Sequence, residues 1–259
     1  MPIKVNEAIA AIPVYPAAST YEFGGPLAKL ASNESPYSPH PAVAEAIAAA
    51  GRNVNRYPDP AGTALREKIA AKHDMAVEQV LLGNGSCEIL LGAAQAMLQP
   101  GDEIVYAWPS FSMYPHLAAM TGATAVEVPL TADHKHDLPA MAAAVTANTR
   151  IVVLCNPNNP TATFIDHAEI EAFARDLPND VLLIVDEAYI EFVKDAVRDQ
   201  LLPLVIDKQN VVITRTFAKV YGLAGLRVGY AFAPLRFKQA IEVARQPFSV
   251  NLVAQAAAA

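Results

Sequence analysis

The sequence contains little cysteine, no excess of positive charge and no long apolar run, and each shortage excludes a class of protein. Cys87 and Cys155 are too few for a disulfide framework, which favours a reducing compartment. The formal net charge of −7 offers no basic surface to nucleic acid or anionic lipid. No apolar run approaches the ~20 residues that a bilayer span needs, and the N-terminal stretch MPIKVNEAIAAIPVYPAAS lacks the features of a signal peptide. We therefore expect a cytoplasmic protein with neither nucleic acid nor membrane as a partner.

Predicted helices and strands alternate along most of the chain. The pattern predicts helices at 42–50, 63–73, 86–98, 110–120, 137–146 and 167–177. It predicts strands at 102–108, 122–130, 180–189, 210–217 and 227–233, a strand that ends in a glycine turn at 79–85, and a strand that runs into a turn at 150–160. The helix at 110–120 must bend or start late because of Pro115. Continuous apolar strands that alternate with helices indicate a sheet covered on both faces. The predicted fold class is α/β, three αβα layers with a mostly parallel central sheet.

The candidate site residues are those that follow each predicted strand, because ligands of open α/β sheets bind at the carboxyl ends of the strands. These ends read GNGSCE, WPSF, NPNNPT, DEAY and TFAK. The glycine turn before Ser86 is either an anion site or a tight turn with a helix cap. The carboxylate of Asp186 needs a partner, which is either an arginine or a protonated nitrogen. Asn159, between two prolines, either meets a ligand or satisfies its own turn.

Lys219 stands among mostly apolar and small residues, in the stretch RTFAKVYGLAGLRVGY. A structural lysine usually extends its head to water from a helix edge, whereas this one follows a strand and precedes a glycine-rich turn. A lysine that is desolvated there becomes a nucleophilic amine suited to a Schiff base. Arg227 adds a bidentate partner for a phosphate or a carboxylate. A bound aldehyde that carries a phosphate would use both residues, and pyridoxal 5′-phosphate is such a ligand.

A series of motifs covers essentially the whole chain, namely LASNESP (30–36), RYPDPAG (56–62), GNGSCEIL (83–90), CNPNNPT (155–161), VDEAYIEF (185–192) and RTFAKVYGLAGLRVGY (215–230). In order and spacing the set resembles the fold-type I, pyridoxal-phosphate-dependent aminotransferases of class I and II, and within them the histidinol-phosphate aminotransferases. The resemblance implies amino-group transfer from glutamate to imidazole acetol phosphate in histidine biosynthesis. An aromatic amino-acid aminotransferase, a decarboxylase of the threonine-phosphate type and a non-catalytic, truncated cofactor-binding remnant are the alternatives.

The resemblance also implies roles for the residues that contact the cofactor ring. Lys219 would hold the cofactor covalently and later move the proton between the substrate α-carbon and the cofactor. Asp186 would pair with the pyridine nitrogen and keep it protonated. Tyr189 and Asn159 would hydrogen-bond the 3′ oxygen, and Phe111 would stack on the ring or simply pack in the core.

A second group of residues would hold the cofactor phosphate. The resemblance assigns this to the backbone N–H groups of Ser86 and Cys87, the hydroxyl of Thr216 and the guanidinium of Arg227. Tyr57 matches a residue that reaches the phosphate from a neighbouring subunit, so a homodimer is implied.

Some positions depart from the family pattern. Ala162 stands where the family usually has glycine, and a turn with positive φ would be strained there. Ala218 stands where serine is frequent, and its methyl group offers no hydroxyl to the phosphate. The thiol of Cys87 has reason to stay protonated beside a bound phosphate. His134 and His136 have no further metal ligands nearby, so we expect a solvated loop and no metal site.

The two ends of the chain lead to a domain prediction. Residues 1–60, rich in proline, are expected to form an N-terminal arm and small-domain segment, in which Tyr15 matches a substrate-side tyrosine. Residues 61–245 are the expected cofactor-binding large domain. Residues 246–259 would begin a truncated C-terminal region, because the family continues into a small domain that supplies an arginine for the substrate carboxylate. The sequence is accordingly expected to be a fragment or a natural truncation.

Overall fold

The computed structural model describes residues 3–5, 7–10, 12, 25 and 30–259. Helices are found at Glu7–Ala10 (α1), Pro41–Gly51 (α2), Thr63–His73 (α3), Ser86–Met97 (α4), Met113–Thr121 (α5), Leu138–Ala143 (α6), His167–Asp176 (α7), Leu202–Asp207 (α8), Leu235–Ala244 (α9) and Leu252–Ala258 (α10). Strands are found at Val80–Gly83 (β1), Glu103–Trp108 (β2), Thr124–Pro129 (β3), Thr149–Cys155 (β4), Leu182–Asp186 (β5), Val211–Thr216 (β6) and Gly229–Phe232 (β7).

The strands form a seven-stranded sheet in the order β1-β7-β6-β5-β4-β2-β3. The pairs β2–β3, β2–β4, β4–β5 and β5–β6 are parallel. Strand β7 runs antiparallel to both of its neighbours, β1 and β6. All strands except β7 therefore point the same way, and their carboxyl ends meet at one edge of the sheet. The prediction of an α/β fold with a mostly parallel sheet is confirmed.

Helices cover both faces of the sheet, because successive side chains of a strand point to opposite faces. On one face, the buried residues Ile104, Ile151 and Ile184 belong to an apolar cluster with α4, α5 and α9. On the other face, their neighbours, such as Val105 and Val185, belong to a cluster with α3, α6, α7, α8 and α10. The protein thus has two cores separated by the sheet, which is the three-layer arrangement expected from the sequence.

The predicted segments each contain the expected helix or strand, and α5 does start late, at Met113. The sequence analysis missed the helices α1, α8, α9 and α10. The starts of α8 and α9 carry weak signals, because the residues before them are Leu201 and Pro234, whose side chains make no capping hydrogen bond.

Helix α2 packs against α10, so residues of the predicted first and last ranges contact each other. The domain boundaries after residues 60 and 245 stay predictions. Within the described ranges, no helix has both the length and the apolarity that crossing a bilayer requires.

Candidate active site

A cavity of about 520 Å³ opens at the edge where the carboxyl ends of the strands meet. Its walls come from the segments that follow β1, β2, β4, β5 and β6, from the turn before β7, and from residues 31–34. The predicted site residues that line it are Ser86, Cys87, Phe111, Asn159, Asp186, Tyr189, Thr216, Lys219 and Arg227. The structure therefore brings together predicted site residues that are far apart in sequence, such as Ser86 and Arg227, which are 141 positions apart.

Asp186 ends β5 and is only 1% exposed. Its Oδ2 accepts a hydrogen bond from the Tyr114 hydroxyl (3.0 Å), and its Oδ1 accepts from the Thr214 hydroxyl (3.2 Å) and the Ala188 N–H (3.3 Å). Burial raises the pKa of the Asp186 carboxyl, and these hydrogen bonds and the charge of Lys219 oppose the rise. Among the described residues no arginine forms an ion pair with it, so a protonated ligand nitrogen is the partner that this carboxylate fits.

Lys219 lies three residues beyond β6 and is half-buried at the cavity wall. Its Nζ donates to the backbone oxygen of Ser32 (3.0 Å) and lies 5.3 Å from the centre of the Tyr189 ring. The amine is thus held beside the phenol that was predicted to act with it.

The Tyr189 hydroxyl accepts a hydrogen bond from Nδ2 of Asn33 (2.9 Å). Burial raises the pKa of Tyr189, and the bond from Asn33 opposes the rise. Because Asn33 donates to the phenol oxygen, the phenol proton is available to an acceptor in the cavity. Asn33 lies in the LASNESP motif, but the sequence analysis gave it no role; 156 residues separate the pair.

The turn from β1 into α4 has features that suit an anion. Ser86 and Cys87 occupy the first positions of this helix, where backbone N–H groups lack intrahelical partners and the helix dipole favours negative charge. Gly85, with φ +74°, lets the Arg227 guanidinium lie directly against the turn, since a Cβ there would stand 2.5 Å from Nη2. A Cβ at Gly229 would stand 2.6 Å from the Ser86 nitrogen. The two glycines therefore allow β7 and Arg227 to approach the helix end.

The remaining phosphate candidates are at the same wall. The Thr216 hydroxyl accepts from the N–H of Ala218 (3.1 Å) and donates to the oxygen of Val228 (3.4 Å). Burial raises the pKa of the Cys87 thiol, and the charge of Asp186 raises it further, so the thiol is protonated at neutral pH.

Ala162 has φ 58°, which is the left-handed conformation expected at this position. Its N–H donates to the backbone oxygen of Asn158 (2.8 Å), which closes the turn of the NPNNPT motif. The alanine thus occupies a conformation that glycine adopts at lower cost.

One described residue of the predicted site is not brought to the cavity wall. Tyr57 is 81% exposed, and its ring stacks on Phe248 with centroids 4.7 Å apart. Its predicted role involves a second subunit and stays a prediction. Tyr15 lies outside the described residues.

One prediction about the loop DHKHD is wrong. His134 is exposed, but His136 is buried and its Nε2 lies 3.1 Å from Oδ1 of Asn158. The same oxygen accepts from the Ser110 hydroxyl (2.7 Å). Burial lowers the pKa of His136, so its ring is neutral at neutral pH. The contact with Asn158 attaches this loop to the cavity segments that contain Asn158 and Ser110. Among the described residues no group of side chains suits a metal ion.

A buried ion network lies behind the cavity, on the opposite face of the same strands. Arg215 is 2% exposed, and its Nε and Nη2 each lie 2.7 Å from Oε2 of Glu187. Its Nη1 donates to Asp199 (2.8 Å), which also pairs with His73 of α3 (3.1 Å). Burial alone would lower the pKa of Arg215, but the carboxylates of Glu187 and Asp199 more than offset this. The network connects the ends of β5 and β6.

Comparison with known proteins identifies the family. The model of the family "Aminotransferase class I and II" matches residues 26–259. The chain belongs to this family. An aromatic amino acid aminotransferase of Streptomyces coelicolor is 43% identical to this aminotransferase over 256 residues, 98% of this chain and 71% of the relative. A histidinol-phosphate aminotransferase of Rubrobacter xylanophilus is 47% identical over 235 residues, 90% of this chain and 67% of the relative.

A solved structure extends the similarity to three dimensions. The crystal structure of histidinol-phosphate aminotransferase from Sinorhizobium meliloti in complex with pyridoxal-5′-phosphate superposes with a TM-score of 0.88 at 29% identity, covering 98% of this chain and 70% of that one. This aminotransferase is therefore a pyridoxal-phosphate-dependent enzyme with the fold-type I large domain.

The cavity of this aminotransferase fits that cofactor by its own chemistry. It combines an amine for an aldehyde, a buried carboxylate that pairs with none of the described arginines for a ring nitrogen, and an arginine at a helix N-terminus for a phosphate. The residues concerned are Lys219, Asp186 and Arg227.

Replacing Gly85 by alanine should weaken cofactor binding. The new Cβ would displace the Arg227 guanidinium, and we expect the affinity for pyridoxal phosphate to fall about tenfold or more, as when a charged hydrogen bond is lost. Gly101→Ala is the matched control, because Gly101 also has positive φ (+99°) but open space around it. Fluorescence titration with the cofactor measures both variants. If the two variants lost cofactor affinity equally, backbone strain would explain the loss. That result would contradict a role for the contact with Arg227.

Proposed function

We propose that this aminotransferase moves amino groups between glutamate and keto acids with a ring-bearing side chain, with the aromatic amino acids as its principal substrates. The supporting observation is the charge of the cavity wall. Lys219 and Arg227 are the cations among the described lining residues, and both are assigned to the cofactor, while the carboxylate of Glu34 also faces the cavity. A second phosphate, on the substrate, would meet repulsion there. The aromatic amino acid aminotransferase of Streptomyces coelicolor is consistent with this choice.

Bound pyridoxal phosphate would supply an aldehyde that bonds the substrate nitrogen and a ring that accepts the electron pair when the α-proton leaves. Lys219 would bond this aldehyde in the resting enzyme and, once released, would carry the α-proton. The negative charge of Asp186 would keep the ring nitrogen protonated. Tyr189, with its oxygen held by Asn33, would donate its proton to the ring oxygen.

Groups on three segments would hold the phosphate. The first N–H groups of α4, the hydroxyl of Thr216 and the guanidinium of Arg227 converge on one wall of the cavity. Phe111, whose ring contacts Tyr114 edge-on (5.8 Å), would cover one face of the cofactor ring. Asn159 would be a further donor to the ring oxygen.

Histidinol phosphate is the second candidate substrate. The relative from Rubrobacter xylanophilus, at 47% identity, bears the name of that activity, and so does the structural neighbour from Sinorhizobium meliloti. A histidine-biosynthetic role would require cations for the substrate phosphate that come from outside the described lining residues.

Two further points belong to the proposal. A homodimer is supported by the exposure of Tyr57, whose phenol is available to a second copy. A cytoplasmic location is supported by the scarcity of cysteine.

The test is a pair of half-reactions followed by absorbance. The purified chain is mixed with pyridoxal phosphate and then with glutamate, and we expect an absorbance band of covalently bound cofactor that glutamate bleaches. Phenylalanine, tyrosine and histidinol phosphate are then compared as amino donors, and we expect the aromatic amino acids to react faster. If histidinol phosphate reacted faster than the aromatic amino acids, it would replace them as the favoured substrate. If none of the amino donors bleached the band, the result would favour a non-catalytic remnant that only binds the cofactor.

A further inference from the structure

Tyr114 is a buried polar residue to which the proposed mechanism gives no role. It lies in α5, is 0% exposed, and donates its hydroxyl proton to Oδ2 of Asp186 at 3.0 Å. Its ring contacts Phe111 and Tyr106, with centroids 5.8 Å away in each case. The packing therefore fixes the direction from which the hydroxyl approaches the carboxylate.

The bond from Tyr114 serves a different oxygen of Asp186 from its other hydrogen bonds. Thr214 and the N–H of Ala188 donate to Oδ1, whereas Tyr114 donates to Oδ2. Donors on both oxygens fix the plane of the carboxylate, because rotation about the Cβ–Cγ bond would break at least one bond.

The same bond favours the charged form of Asp186. Burial disfavours a charged carboxylate, and a donated hydrogen bond compensates in part. The phenol itself does not ionise, because burial and the charge of Asp186 raise the pKa of Tyr114 well above its ordinary value. The Tyr114 phenol is therefore protonated, and able to donate, at neutral pH.

We propose that Tyr114 is a positioning residue of the reaction, which holds Asp186 charged and oriented toward the ring nitrogen of the cofactor. The inference rests on the proposed role of Asp186 and extends it to a residue on a different element. Tyr114 acts through the carboxylate and touches neither the substrate nor the reacting atoms.

The test is Tyr114→Phe, which keeps the ring and removes the donor. We expect kcat to fall about tenfold, as for the loss of a hydrogen bond to a charged group, with the cofactor affinity and KM almost unchanged. Tyr106→Phe is the matched control, because Tyr106 is equally buried but its hydroxyl donates to Glu127 (3.0 Å). The control should keep the kcat of the unmodified enzyme.

Two measurements separate this role from a merely structural one. With pyridoxal phosphate labelled at the ring nitrogen, the ¹⁵N chemical shift of bound cofactor should move toward that of the unprotonated ring in Tyr114→Phe and not in Tyr106→Phe. With a cofactor analogue that carries carbon at the ring-nitrogen position, Tyr114→Phe and the unmodified enzyme should react at equal rates, because Asp186 then has no nitrogen to hold.

The outcomes also distinguish the inference from the function on which it rests. An unchanged ¹⁵N shift in Tyr114→Phe, or a tenfold loss of rate that persists with the carbon analogue, would overturn the role of Tyr114 alone. An Asp186→Asn variant with full turnover would instead overturn the role of Asp186, and with it the inference. Melting temperatures of Tyr114→Phe and Tyr106→Phe, measured in parallel, identify any loss that comes from unfolding.

Discussion

Lys219→Ala should yield an enzyme to which borohydride treatment no longer attaches the cofactor covalently. The variant lacks the amine that bonds the aldehyde and carries the substrate proton, so we expect amino transfer to fall by at least about 10⁴-fold, the upper range for losing a positioned acid–base group. Mass spectrometry after borohydride treatment and single-turnover absorbance with glutamate measure the two effects. The phosphate contacts of Arg227 and α4 remain, so the cofactor should still bind reversibly.

Lys72→Ala is the control for this experiment. Lys72 lies in a different cavity, where its Nζ is 5.5 Å from the centre of the Tyr221 ring. That variant should keep its fixed cofactor and its turnover. If borohydride still attached the cofactor to the Lys219→Ala variant, another amine would have to be the one that bonds the aldehyde.

Asp186→Asn should keep the cofactor but lose most of its turnover. The amide occupies the same space without negative charge, so the ring nitrogen would no longer be held protonated. We expect kcat to fall about 10²- to 10³-fold, the size seen when one preorganised electrostatic contact is removed. Stopped-flow measurement of the glutamate half-reaction, together with a cofactor titration, separates the chemical step from binding.

Asp102→Asn is the matched control. Asp102 is also buried, but it lies just before β2 at the opposite edge of the sheet, where its carboxylate accepts from the N–H of Gln99 (3.0 Å) and pairs with Arg150 (3.4 Å). This control should lose stability and keep its turnover. Unchanged turnover in Asp186→Asn would remove Asp186 from the mechanism.

The fold was predictable where local sequence determines it. Strands β4, β5 and β6 contain the apolar runs IVVLC, LLIV and VVI, and such runs between helices predict a covered, mostly parallel sheet. The direction of β7 was not predictable, because periodicity carries no information on direction. It is set by the short return from Thr216 to Gly229, where Arg227 adopts φ 58° and β7 pairs with both β6 and β1.

Some residues of the candidate site were likewise predictable from the sequence, and others were not. Lys219 and Asp186 stand out because charged residues rarely follow apolar runs without a partner. Tyr114 and Asn33 carry no such signal, since a tyrosine on an apolar helix face and an asparagine in a loop are both ordinary. Their partners lie 72 and 156 residues away, so tertiary packing alone reveals their roles. For the same reason, the polar stretch around His136 suggests a solvated loop although packing against Asn158 buries it.

The alternation of side chains along β5 and β6 has a consequence for interpreting mutations. Asp186 and Thr216 face the cavity, while the adjacent Glu187 and Arg215 face the ion network behind it. Removing one member of such a buried pair typically costs about 3–5 kcal/mol, because the other is left as an uncompensated charge. A genetic screen for lost activity would therefore return Glu187 and Arg215 beside the chemical residues. Abundance in the cell, not turnover per molecule, would tell the two groups apart.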